Sequence, residues 1–167
     1  MSRDPKDDQR VYLGLGLAMS RAQLLEVVLV KLVEAQRQDL SLPLDDRWAE
    51  ISTWLDMTAG QLQPLLGVPE VVASDVRAAI GRRNRVAHEA WMLYSVASDS
   101  RASADTWAPW LEAEAAMLQQ VVHGLARLRD CVEQLRGRGK QVEHADLVDV
   151  WRKYVPDPIP PRPDREP

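Results

Sequence analysis

Cysteine is nearly missing from this chain of 167 residues. The single thiol, Cys131, can form neither an internal disulfide nor a thiolate metal cluster. Histidine is scarce as well, and His88, His123 and His144 lack the spacing of a zinc site, so no metal or other cofactor is expected. Neither sign of charge dominates: 21 Lys+Arg stand against 25 Asp+Glu, for a net charge of -4. That balance argues against a surface coated with cations for non-specific nucleic-acid binding, though not against a local basic patch. The longest uncharged stretch near the N-terminus, Val11 to Ser20, is about half of the ~20 residues a membrane span needs. The opening MSRDPKDDQR has no hydrophobic signal-peptide core. A cytoplasmic protein without a membrane partner is the resulting expectation. Phe is absent while Trp occurs six times, and Leu, Val and Ile are plentiful enough to exclude global disorder. The length suits one domain with a substantial core.

What is present is helical periodicity. Residues 1–10 are polar and read as a flexible N-terminus. Leu25, Val28, Leu32 and Ala35 are spaced +3, +4, +3, and Leu29 and Val33 widen the stripe, so this helix is expected to be buried on more than one side. Ser20 with Gln23 reads either as a capping box or as the interior of a longer helix. A short helix over Asp45–Leu55 places Trp48, Ile51 and Leu55 on one face, and Thr58 with Gln61 is a second capping-box pattern. Pro69 suits the first turn of a helix expected to run to about Ala97, with the Ser-rich SDSRASAD loop after it. Leu111, Leu118, Leu125 and Val132 recur every seven residues, marking a bundle helix or a self-association seam that stops at Gly137 and Gly139. Ala145–Tyr154 reads as a further helix, and the Pro-rich end cannot pack as one. No segment alternates like a strand. The expected fold is all-α, an antiparallel bundle of four to five helices. The main domain spans 11–136, a C-terminal extension with a short helix 137–155, and a flexible Pro-rich tail 156–167.

Within the helix after Pro69, Arg83 falls near the centre of the apolar stripe, between Ile80 and Ala87. An arginine there must snorkel or find a partner, because an unpaired buried charge is costly. Arg77, Asn84 and His88 share the adjoining flank at +7 and +4 spacing, and Arg82 and Arg85 add to the local positive potential. A guanidinium binds phosphate oxygens through its planar fork of donors, and a neutral imidazole exchanges protons near pH 7. RNA carries its own nucleophile, the 2'-hydroxyl, so its cleavage needs a base, an acid and charge stabilisation but no metal. The plainer reading of one Arg and one His on a helix is a surface pair or a structural network. His123 and Cys131 read as packing residues, His144 as part of a polar connection, and Gly14 and Gly16 as sites of close helix contact. Trp48, Trp107, Trp110 and Trp151 read as core or interface anchors.

The string Arg83-Asn84-Arg85-Val86-Ala87-His88 resembles the R-N-x-x-x-H signature of the HEPN superfamily (higher eukaryotes and prokaryotes nucleotide-binding domains). Its flanks, Ala79-Ile80-Gly81-Arg82 and Glu89-Ala90-Trp91, are similar to bacterial members. The likeness covers roughly residues 11–136, with only the motif specific. It implies a HEPN-like helical bundle, a homodimer with a composite site, and a metal-independent endoribonuclease that leaves 2',3'-cyclic phosphate ends. Such enzymes act in toxin–antitoxin, phage-defence or RNA-processing systems, so RNA and a possible antitoxin are the implied partners. Carried over, His88 is general base or acid, Arg83 holds the scissile phosphate and Asn84 positions one of them. A supporting acidic residue on the first long helix matches Glu26 first and Glu34 next, with Arg77 and Arg85 as supporting cations. Glu89 places a negative charge where relatives often carry a small residue. Other members have lost activity, so the alternative expectation is a catalytically silent interaction protein or an antitoxin-like regulator. That alternative expects Arg83 in a salt bridge and His88 turned from the two-fold axis.

Overall fold

The seven-residue repeat of Leu111, Leu118, Leu125 and Val132 becomes the buried spine of the molecule, all four being fully covered. A computed structural model describes residues 5–37, 41–88 and 101–161. Six α-helical segments follow in order: α1 (Pro5–Arg37), α2 (Leu44–Leu55), α3 (Ala59–Leu62), α4 (Glu70–His88), α5 (Arg101–Gly137) and α6 (His144–Tyr154). A 3-10 turn, Gln63–Leu65, extends α3, and no strand occurs among the described residues. The chain is therefore an all-α bundle.

Helix directions follow from pairs of contacts. Arg10 meets Asp105 at 3.4 Å near one end of α1 and α5, and Arg136 donates to the Ala35 carbonyl near the other, so the two run parallel. Gly14 lets them approach: a Cβ there would lie 3.1 Å from that of Leu111. α4 runs antiparallel to both. Its start lies near the end of α1, where Gln36 donates to the Gly67 carbonyl at 3.1 Å and Arg37 to that of Leu65 at 2.8 Å. Its last turn carries Val86 into a cluster with Val11, Ala18, Trp107 and Leu111. The remaining core gathers Leu25, Leu29, Leu118, Leu125 and Trp151 around Val72 and Val76. Gln61 Oε1 accepts from the Thr58 N–H at 2.9 Å, so the capping pattern read there forms.

Several boundaries differ from the sequence expectation. Inside the segment read as a flexible N-terminus, residues 5–10 are already helical in α1. Ser20 and Gln23 are interior to it. Residues 101–105 are helical in α5 rather than loop, and Pro109 lies inside the helix. The expected extension of α4 over 89–97, with Glu89 and Trp91, lies outside the described residues. On α2 the buried tryptophan is Trp54, while Trp48 is 59 % exposed with Leu44 and Leu55 beside it. By length and composition α1 could cross a membrane, which a count of uninterrupted residues did not register. Its inner face is packed in the bundle.

The Pro-rich end is partly anchored. Val155 and Ile159 are buried, although 156–161 form no helix. Asp75 of α4, itself buried, accepts from Trp151 Nε1 at 2.8 Å, Arg152 at 3.1 Å and the Ile159 N–H at 2.9 Å. Three donors offset the desolvation of the carboxylate and tie the C-terminal segment to the helix that bears the motif. Trp151 fits because position 124 is glycine; a Cβ there would sit 2.7 Å from its ring.

Candidate active site

The motif occupies the last turns of α4, and the structure separates its members by environment. Arg83 points inward with only 14 % of its side chain exposed. It donates to Glu26 Oε1 of α1 at 2.6 Å and to Asn84 Oδ1 at 2.9 Å, while its Nε is buried without an acceptor. The misplaced charge thus finds a carboxylate partner. Asn84 and His88 are exposed on the adjoining flank, one turn apart. Arg77 is exposed there too, paired with Glu70 on the same helix.

The other arginines are also engaged. Arg82 forms a two-pronged pair with Glu114 of α5, with Nε 3.0 Å from Oε2, and Glu114 is 1 % exposed. Arg85 is buried, with its guanidinium 5.2 Å from the ring centroid of Trp110. The four arginines between 77 and 85 do not form one open cationic patch. Glu70, Glu114 and Glu26 each neutralise one of them, and Arg85 is covered.

Of the two acidic residues expected to support the site, Glu26 reaches it. Glu34 does not: two turns farther along α1, it exerts its charge on Arg129 of α5, raising that guanidinium together with Asp130 and Glu133. The direct Asp130 hydrogen bond is the largest cause of that rise. Residues not singled out by sequence include Glu114 and Asp75, both buried acids. Glu114 had one available signal, since a carboxylate four residues before Leu118 on the apolar side of a heptad helix demands a partner. His123 is exposed, and Cys131 is half-buried, with burial and Asp146 pushing its thiol up. Among the described residues, no group of three or more His, Cys, Asp or Glu is placed to hold a metal ion.

Chemically, the site offers a planar cation anchored from behind by a carboxylate, an amide fixed by that cation, and an accessible imidazole on the same helical flank. No protein-family model matches the chain, nor does any curated protein or solved structure.

Proposed function

We propose that the chain is a metal-independent endoribonuclease of the HEPN kind, a toxin or defence component that acts on RNA. The observation that supports it most is the exposed Asn84–His88 flank beside an Arg83 whose orientation is set by Glu26. In the reaction, the 2'-oxygen attacks phosphorus and the bond to the 5'-oxygen breaks. One His88 takes the 2'-hydroxyl proton, and an acid returns a proton to the leaving 5'-oxygen. The products are a 2',3'-cyclic phosphate and a 5'-hydroxyl. Arg83 stabilises the added charge on the phosphoryl oxygens, and Asn84 orients Arg83 through its amide oxygen. His88 is the only histidine in the motif, so a second copy of the chain supplies the second proton-transfer group.

The Glu26–Arg83 ion pair favours a second reading. A guanidinium already satisfied by a carboxylate binds phosphate less readily, and a silent interaction protein would carry that arrangement. One experiment separates the two. Mixed RNA is incubated with the full chain and with His88→Ala in EDTA, and product ends are mapped. The nuclease reading expects cyclic-phosphate ends from the parent chain and a loss of at least about a hundredfold in the variant. Intact RNA with the folded parent chain would assign the motif to binding.

A further inference from the structure

Where α5 ends, cations alternate with glycine: Arg136-Gly137-Arg138-Gly139-Lys140. Gly139 takes a φ of +67°, the left-handed conformation that favours glycine, and the Lys140 N–H reaches back to the Leu135 carbonyl at 2.9 Å. This turn closes the helix and leaves Arg138 and Lys140 exposed. Gly137 has no such reason to be glycine. It lies in the last turn of the helix, where alanine is the better helix former, and its φ is not positive. A Cβ there would meet nothing within 4 Å, so packing does not require glycine either. What the residue does provide is bare backbone that a ligand can approach closely.

A further cation stands at the same end of the bundle. Arg136 donates to the Ala35 carbonyl, which sets the end of α5 beside the end of α1 and Arg37. Arg37 is exposed, with its Nε held by the Leu65 carbonyl. Arg37, Arg138 and Lys140 form no ion pair with any described residue, whereas Arg77, Arg82, Arg83, Arg127 and Arg129 each face a carboxylate. Of the acids nearby in sequence, Glu133 lies 3.6 Å from Arg129 and Glu143 caps the start of α6. Cations at a helix end commonly serve its last carbonyls, as Arg136 does for α1. The side chains of Arg138 and Lys140 hydrogen-bond to no described residue, so that purpose does not account for them.

We infer that this basic end is a second RNA-binding surface, separate from the motif, which grips the phosphate backbone. The choice of RNA over another polyanion rests on the proposed nuclease reading. A guanidinium fork, an ammonium and open backbone contact phosphate oxygens without reading bases, so the surface positions RNA and does not select its sequence. Helix α4 starts at this end, and His88 closes it at the other, about 27 Å away at 1.5 Å per residue. At about 3.4 Å per phosphate, a stacked strand needs about eight nucleotides to reach both.

The test follows binding of a labelled single-stranded RNA of about 20 nucleotides by fluorescence anisotropy over a salt series. The full chain carries His88→Ala to prevent cleavage. Arg138→Gln combined with Lys140→Gln should weaken binding at least about tenfold, and the slope of log Kd on log salt should become shallower by about 1.4. Gly137→Gln, which adds bulk without charge, should also weaken binding. Lys153→Glu, at an exposed cation of α6, should leave it unchanged. With His88 restored, the double variant should cleave the long RNA more slowly than the parent chain. It should match the parent on an RNA of about five nucleotides, too short to span both ends. Circular dichroism checks that each variant is folded. Unchanged binding by the double variant or by Gly137→Gln, an equal loss with Lys153→Glu, or tighter binding of poly-glutamate than of RNA of equal charge would overturn the inference. Binding that depends on Arg138 and Lys140 in a chain that never cleaves RNA would keep this surface and sink the nuclease. Binding and cleavage of the long RNA at parental levels by the double variant would do the reverse.

Discussion

Helices α1 and α5 are the two longest elements and lie side by side in parallel, yet their heptads meet opposite fates. That of α5 is wholly enclosed by α1, α4 and α6. Helix α1 carries an enclosed stripe through Leu25, Leu29 and Leu32 and an open one through Leu13, Leu17, Leu24 and Val27. The sequence marked α5 as the possible self-association seam, because its repeat is the more regular. The structure encloses that repeat and leaves an exposed apolar stripe on α1 instead. Regular spacing identifies a helix that packs; only the arrangement of neighbours identifies which face still lacks a partner.

The contrast can be broken most severely at the one acid inside the enclosed face. Glu114→Ala should cost about 3–5 kcal/mol in urea unfolding, since it leaves Arg82 nearly buried without its carboxylate. A loss under ~1 kcal/mol would mean that Arg82 swings out to water at little cost. A matched pair of truncations sharpens the comparison directly. Leu118→Ala on α5 should lose about 2–5 kcal/mol. Leu17→Ala on the open face should stay within about 0.5 kcal/mol at concentrations where the chain is monomeric. Equal losses would erase the distinction between the two faces. Between those two truncations in size lies Gly124→Ala, expected to cost about 1–3 kcal/mol because the new methyl meets the Trp151 ring. The loss should appear as earlier hydrogen exchange in α6, with α1 little changed.

Much of the bundle was legible from spacing, because long amphipathic stripes leave few packing choices. The need for a partner at Arg83 was legible too, since a cation amid Ile80 and Ala87 cannot stay alone. Which acid answers it was not: Glu26 and Glu34 sit on one helix, and only the placement of α4 decides between them. The basic cluster misled for a related reason. Arg82 looks outward on the isolated helix, but Glu114 arrives from residues far along the chain. Trp48 and Trp54 differ in the same way, one left in solvent and the other buried by neighbours that the local pattern does not contain. Residues 5–10 and 101–105 are helical in segments whose polarity suggested a frayed end and a loop, because a polar surface turn and a polar loop have the same composition.

A polypeptide is made from its N-terminus, and that order bears on Asp75. All three of its recorded donors belong to residues 151–159, synthesised well after α4. Until those residues emerge from the ribosome, α4 holds a carboxylate that can be buried only at a penalty. The helix bearing Arg83, Asn84 and His88 thus reaches its final packing after residue 159 has been translated. A nascent chain halted at residue 143 would carry the complete motif on an unfinished support.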